Sequence, residues 1–427
     1  MEPGANLRQK PPRRIVILSQ FYPPEPCAAA YRISALARAL AQQGDRVTVL
    51  TAMPSFPDGR IVDRYRKRIY LKEHDGAVNV HRVCTFASAA LRWHHRLLNW
   101  LSVAFGMLFY FVAHRNPVDV VIVSSPPITL AIPALFAAWR HRSELVSDIR
   151  DVFPDIGVQM GRWRSDSPAA RLVGRLVDRL YARSSLIVAV TPAARDELLS
   201  RNVPDRKVTV AMNGADPILI SQQRAFARDD NKFVVAYVGN MGNATGLDAV
   251  LDAASCLRRQ PQFEFVFVGG GAQEPCLRRR VREEALENVK FLGVLPRDRA
   301  TRALADADVC VVPLADGIRD SLPTKIFDAL AVACPVIVAA DGEARHFIER
   351  SGGGVCVPPG DGAALAAMIE QLSKSPQRLE EFGLRGRQFL SAQYDREAIM
   401  SDLAARIAPA HFALDQRLVE LDVALRG

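Results

Sequence analysis

The chain is poor in the features that mark a metal-bound, redox or secreted protein. Its 427 residues hold seven cysteines (Cys27, Cys84, Cys256, Cys276, Cys310, Cys334, Cys356). None forms a C-x-x-C pair, so neither a zinc site nor a disulfide framework is expected. Most lie inside apolar strand or helix patterns and read as buried free thiols of a reducing compartment. The N-terminus is polar and Pro-rich through Arg14 and has no apolar stretch after its charged start. No secretory signal is therefore expected, and residues 1–12 read as disordered. The first strand–helix loop lacks G-x-G-x-x-G, which disfavours a nucleotide-dependent oxidoreductase. No internal repeat is short enough for a solenoid. Asp306-Ala307-Asp308 has the D-x-D spelling of a metal-bound diphosphate site, but it sits at a helix end before a buried strand. No metal ligand set is expected.

What is present is an ordinary folded composition, 49% hydrophobic and 24% charged, with a formal charge of +9. The length is too great for one core and fits two domains with a helical tail. A basic surface suits nucleic acid, an anionic membrane or phosphorylated substrates; a solubilising excess of charge is the plainer alternative. Apolar β-rich runs alternate with amphipathic helical runs. Arg14–Ser19, Arg46–Thr51, Val118–Ser124, Glu144–Ile149 and Leu186–Val190 read as buried strands. The pattern restarts at Phe233–Gly239, then Phe263–Gly269, Val289–Leu292, Val309–Pro313 and Val336–Ala339. This is an α/β chain of two parallel sheets covered on both faces. The expected division is a first domain over 13–220, a polar linker over 221–231, a second domain over 232–394 and a helical tail over 395–427.

The densest information lies in 316–344. Pro323 stands where a helix begins, at no loss of a hydrogen bond. Ile326, Leu330 and Ala333 share its apolar face, Cys334-Pro335 stops it, and Pro335–Val338 reads as a buried strand. A helix N-terminus attracts anions, and Lys325, one turn in, adds a full positive charge. Pro323, Thr324 and Lys325 thus form a phosphate-ready site. Asp320 and Asp328 flank it, suited to sugar and ribose hydroxyls. A nucleotide-sugar pyrophosphate fits this set. Upstream, Val235–Leu247 is a strand, a Gly-rich loop and a helix start; its glycines let backbone N–H groups approach phosphate.

In the first half, Asp148, Arg150 and Asp151 stand at the carboxyl end of a strand, where α/β folds place ligands. A guanidinium is no general base at neutral pH, whereas Asp148 or Asp151 is suited to accept a proton or orient an acceptor. An Arg–Asp ion pair at a strand end is the structural alternative. Leu97–Ala113 is an apolar run relieved only by Asn99, Ser102 and Gly106. Arg92, Trp93, His94, His95 and Arg96 precede it, and His114-Arg115 follow. It is short for a membrane span. A helix lying half-buried in a membrane surface, a buried core helix and a span all remain open, with the first favoured.

These motifs together resemble the retaining GT-B glycosyltransferases of family 4. The family signature is an acidic residue, seven others and a second acidic residue, then "G-x-P-V-I" and "G-E". Here both acids are Asp (Asp320, Asp328), and Ala333-Cys334 replaces the usual small residue plus Gly. Phe21–Ala30 resembles the "F-x-P-P-E…small-small" loop, with Ala28-Ala29 where glycines often approach the donor phosphate; Tyr31-Arg32 opens the following helix. Gly44–Thr51 resembles "G-H-x-V-T-V-L-T". Gly239, Asn240, Gly242, Gly269 and Gly270 match the donor loops, and Leu292 lies in the segment whose backbone meets the base. The loop Met53–Arg60, with Pro57 and Gly59, and Arg150-Asp151 match the branch serving bacterial surface polysaccharides, including L-fucosamine transferases.

The resemblance covers about residues 13–400. It implies two Rossmann-like domains facing a cleft and a tail that crosses back to the first domain. It also implies transfer with retention of configuration, without metal or cofactor, from a nucleotide sugar, with a lean to UDP. Asp320, Lys325, Arg150 and Asp151 would be catalytic, while Arg32, Asp148, Pro57 and Gly59 would face a lipid-linked or glycan acceptor. Partners would be an anionic membrane surface and no nucleic acid, with the enzyme on the cytoplasmic face. A nucleotide-sugar epimerase of the same fold and a non-catalytic two-domain sugar-binding protein are the competing readings.

Overall fold

A computed structural model describes residues 11–89, 93–152, 167–220 and 232–407. The expected linker 221–231, Phe153–Asp155, Arg92, most of the expected disordered N-terminus and the tail beyond 407 lie outside these residues.

The first domain is built on an eight-stranded sheet. Its strands are β1 (Arg14–Leu18), β2 (Arg46–Ala52), β3 (Tyr70–Asp75), β4 (Val78–Val83), β5 (Val120–Ser125), β6 (Glu144–Ile149), β7 (Leu186–Ala189) and β8 (Val208–Val210). They are ordered β3-β4-β2-β1-β5-β6-β7-β8. All pairs are parallel except β3 with β4. The interior strands are continuous apolar runs, as burial on both faces requires: Ile15–Leu18 and Val120–Val123 are all buried. The β3–β4 hairpin escapes the sequence reading because Lys72-Glu73-His74-Asp75 alternates charge on an exposed edge. Asp75-Gly76 is its turn signal, with Gly76 at φ 58.

The second domain has six parallel strands. They are β9 (Phe233–Val238), β10 (Phe263–Val268), β11 (Val289–Gly293), β12 (Val309–Pro313), β13 (Val336–Ala339) and β14 (Gly354–Val357). Their order is β11-β10-β9-β12-β13-β14. Strand order reverses between β9 and β12, and in an open α/β sheet that is where a crevice forms. Asp308 joins this framework: its Oδ2 accepts from Val234 N at 2.6 Å.

The chain then returns to the first domain. Helix Pro376–Gln393 packs Leu390 on the second core, and helix Arg396–Ile407 inserts Met400, Leu403, Ala404 and Ile407 among Ile33, Leu36 and Leu40 of helix Ala28–Gln42. Arg396 secures the crossing. It is 6% exposed, and its guanidinium donates to the carbonyls of Asn213 and Gly214, both at 3.0 Å.

Helix Trp93–Ala113 covers one face of the first sheet. Val103, Ala104, Met107 and Phe111 are buried in its core, yet Leu98, Leu101, Phe105, Phe109 and Val112 are exposed at spacings of three and four. Phe105 is 71% and Phe109 65% exposed. The helix is therefore apolar on both its packed and its open side.

Two expectations fail inside this framework. Arg32 and Asp148, expected to face an acceptor, are a buried ion pair, each side chain 1% exposed. Asp148 Oδ1 accepts from Arg32 Nη2 at 2.7 Å and Nε at 3.0 Å; Oδ2 accepts from Ser124 Oγ at 3.1 Å. Arg32 Nη1 donates to Ala211 O at 2.8 Å. The pair ties helix Ala28–Gln42 to β6 and to the end of β8, and neither group reaches the cleft.

Asp148→Ala leaves the guanidinium uncompensated, and is expected to destabilise by about 3–5 kcal/mol. Replacing both partners, Arg32→Met with Asp148→Leu, should recover most of this. Melting curves of the three proteins check it, and an unchanged midpoint for Asp148→Ala contradicts it.

Candidate active site

The crevice of the second domain is lined by the loops after β9 and β12. They touch each other: Ala315 N donates to Ala244 O at 3.0 Å. Gly239, at φ 141, brings backbone directly under Lys325; a Cβ there would stand 3.3 Å from Lys325 Cε and 3.4 Å from Nζ. Gly269, at φ 126, is more constrained, since its Cβ would fall 2.0 Å from Gly239 O. Asn240 is exposed, and Gly242 and Gly270 are half-buried along the same rim. Leu292 is 49% exposed, and two residues on Val294 would lie 3.1 Å from a Cβ at Gly270.

Helix Thr324–Ala331 starts at this rim after Pro323, with no side chain capping its first turn. Lys325 Nζ donates to the Tyr237 hydroxyl at 2.6 Å and lies 4.1 Å from the centre of that ring. Tyr237 in turn donates to Asn240 O at 2.6 Å. Tyr237 thus aims the ammonium across the glycine loop. The sequence reading missed this role, although the tyrosine lies within Val235–Leu247. A cation held over open backbone amides at a helix N-terminus is an anion site.

The two signature carboxylates part company. Asp320 is exposed on the β12 loop, close enough to Glu343 for its charge to help raise that carboxyl, chiefly a desolvation effect. Glu343 N donates to Arg319 O at 2.8 Å, fixing the loop. Asp328 is half-buried, and desolvation raises its pKa against the pull of Arg396 and Arg297. Arg297 Nη2 meets Asp216 Oδ2 at 2.6 Å, and its guanidinium lies 4.1 Å over the Tyr31 ring. Tyr31, Asp216, Arg297 and Arg396 line a cavity of about 210 Å³. This cluster joins both domains. No motif marked Arg297, which the fold alone places there.

Across the cleft, the start of helix Ala28–Gln42 has no side-chain cap, and Cys27 occupies the N-cap position in extended backbone. Ala28 is half-buried and Ala29 is buried, so they offer backbone rather than side chains. Arg150 Nη2 donates to Pro126 O at 2.6 Å, whereas its Nε is buried without a partner. Asp151 is solvent-exposed but crowded; desolvation raises its carboxyl, with Arg150 opposing. Pro57 is exposed at its loop tip, and Gly59, at φ 65, backs onto Ser88 O. The structure brings Lys325 to the glycine loop. It places Arg150, Asp151 and the Pro57 loop on the first domain's side, and removes Arg32 and Asp148. Among the described residues no group of three His, Cys, Asp or Glu side chains is placed to hold a metal ion.

Residues 28–214 match the family "Glycosyl transferase 4-like domain" and residues 220–389 match "Glycosyl transferases group 1". The putative colanic acid biosynthesis glycosyl transferase WcaI of Escherichia coli K12 is 24% identical, covering 91% of this chain and 98% of the relative. The probable glycosyltransferase WbjE of Pseudomonas aeruginosa is 26% identical over 68% of this chain and 74% of its own length. Among solved structures, Anabaena Alr3699/HepE in complex with UDP and glucose superposes with a TM-score of 0.67 at 17% identity, covering 93% of this chain and 99% of that one. The chain is a glycosyltransferase of GT-B fold, a 4-like domain followed by a group 1 domain, and it resembles the family 4 enzymes of bacterial surface-polysaccharide biosynthesis.

Proposed function

We propose that the enzyme transfers a sugar from a UDP-linked donor, with retention of configuration, to a lipid-linked or glycan acceptor at the cytoplasmic face of a membrane. The observation that carries the donor side is Lys325, held by Tyr237 over the Gly239 backbone. The UDP and glucose in the HepE complex support the choice of donor. In this reading the diphosphate lies on the amides of the glycine loop and the first turn at Thr324, with Lys325 neutralising charge as the anomeric bond breaks. Asp320 meets the donor sugar and Asp328 the ribose. Arg150 and Asp151 face the reacting centre from the first domain, and Asp151 orients the acceptor hydroxyl. The charge on the leaving group is met by the protein itself, and the proposal calls on no metal.

Lys325→Ala should lose transfer by at least about a hundredfold while the fold persists, since such contacts contribute several kcal/mol in a dry site. Tyr237→Phe keeps the ring beneath the ammonium and removes the hydroxyl, for an expected loss of about tenfold. Initial rates across a panel of UDP-sugars check both. Activity of Lys325→Ala within about threefold of wild type refutes the donor site.

The open stripe on helix Trp93–Ala113 supports the membrane part. Its C-terminal end meets that of helix Ala131–Arg140, with the His114 and His141 rings 6.2 Å apart, and Trp139 there is 72% exposed. Arg96, Arg115, Arg140 and Arg142, on these two helices or just beyond their ends, are all exposed, a basic accompaniment that suits an anionic lipid surface. Phe105→Ser with Phe109→Ser should weaken binding to anionic vesicles by about three orders of magnitude, from roughly 2 kcal/mol of burial per ring. Donor hydrolysis should be unchanged. Co-sedimentation at low salt reads the outcome. Wild-type protein that stays in the supernatant removes the membrane assignment and leaves the donor site standing.

A further inference from the structure

The loop bearing Pro57 and Gly59 is held by a buried residue outside the assigned site. Glu25 belongs to the loop after β1 and is 2% exposed. Its Oε1 accepts from the backbone N–H groups of Ser55 and Phe56, both at 3.0 Å. Its Oε2 is buried and has no partner. The Phe21 and Phe56 rings meet edge to face at 5.8 Å, again joining these two loops. The loop's other main-chain ties are Met53 N to Val83 O at its base, and internal bonds from Gly59 N to Ser55 O and from Val62 N to Pro54 O.

A carboxylate in this position would bury a full charge with half of its acceptor capacity empty. That state is costly, and a neutral carboxylic acid is much less so. The charged and titratable groups around Glu25 do not reverse the balance. Arg82, on β4, is the cation whose charge acts on it, and Arg82 is already spent on Glu73 Oε2 and on Pro23 O, both at 2.5 Å. Cys27, two residues on, has its thiol pushed up to about 11, chiefly by burial, and so brings no charge near neutrality; Arg150 acts on that thiol from the end of β6. Desolvation accordingly pushes the Glu25 carboxyl up to about 7, against the lowering effect of the Ser55 and Phe56 amides.

We infer that Glu25 is a positioning residue: as the neutral acid it fastens the Ser55–Gly59 loop through one oxygen, and its ionisation releases that loop. The sign follows from the shift. The carboxyl ionises at a higher pH in the folded protein than in the unfolded chain, so the stabilised state is the protonated one. It is complete at low pH and is lost as pH rises through about 7. In the closed arrangement an ionised Oε2 has neither a partner nor solvent contact, so the inference has the loop lift to admit water. This inference concerns the loop alone and needs neither donor nor acceptor to be known. If the loop lines the acceptor side, as the resemblance implies for Pro57 and Gly59, acceptor capture follows the same titration.

The test is amide hydrogen exchange of the peptide covering 53–60 in the full chain, between pH 5.5 and 8.5 and corrected for intrinsic rates. Wild type should lose about tenfold in protection across this range. Glu25→Gln keeps the accepting oxygen and cannot ionise, so the same peptide should remain protected at every pH. Glu25→Ala should leave it unprotected throughout. A flat wild-type profile overturns the inference, as does a Glu25→Gln profile that follows wild type. If Glu25→Ala does not fold, the comparison of wild type with Glu25→Gln decides alone.

Discussion

The reversal of strand order between β9 and β12 is the constraint on which the rest depends. Helices that follow these strands leave on opposite faces of the sheet, so a crevice forms at the strand ends even though the two loops meet further out, where Ala315 N donates to Ala244 O. Everything suited to a diphosphate gathers at this gap: the amides of the Gly239 loop, the uncapped start of helix Thr324–Ala331, and Lys325 above both. Close approach is enforced sterically. A side chain at Gly269 would collide with the Gly239 carbonyl, and one at Gly239 would crowd the end of Lys325. The hydrogen bond from Lys325 to Tyr237 then fixes the charge where a flexible side chain would otherwise wander.

The first domain answers with its own carboxyl-end loops, and two kinds of polar contact hold the structure in register, one inside that domain and one between the two. One is fully buried: Arg32 with Asp148, which holds the first helix to the sheet. The other lies at the junction, where Arg396 grips the Asn213 and Gly214 carbonyls and Arg297 spans Asp216 and the Tyr31 ring. Asp328 sits among these arginines, so the second signature acid is electrically linked to the domain junction as well as to the crevice. A ligand that engages Asp328 therefore acts on the same charges that join the domains.

Small departures from the family pattern have local consequences. Ala333 takes φ 57, the left-handed conformation that glycine adopts at no steric cost, to end helix Thr324–Ala331 ahead of Pro335. The Cβ of Ala333 is accommodated there, and Cys334 N still donates to Ala329 O at 2.9 Å. The helix thus keeps the termination its strand needs without the residue usually found there.

The sequence by itself determined the two α/β units, most of their interior strands and the phosphate-ready turn at Pro323–Lys325. Those features are local: period, turn residues and apolar runs are written in consecutive positions. It did not reveal the β3–β4 hairpin, whose polar edge breaks the apolar pattern, or β14, a four-residue strand starting at Gly354. Within the site it placed Lys325 and the glycines by motif, but it could not tell a buried acid from an exposed one. Asp148 and Asp151 lie three residues apart at one strand end, yet only the fold sends one into a pair with Arg32 and leaves the other exposed. Tyr237 beneath Lys325, Arg297 across the domain junction and Glu25 beneath the Ser55 loop depend on contacts 88, 81 and 30 positions apart. Such pairings are set by how the sheets and their loops pack, which residue spacing along the chain does not record.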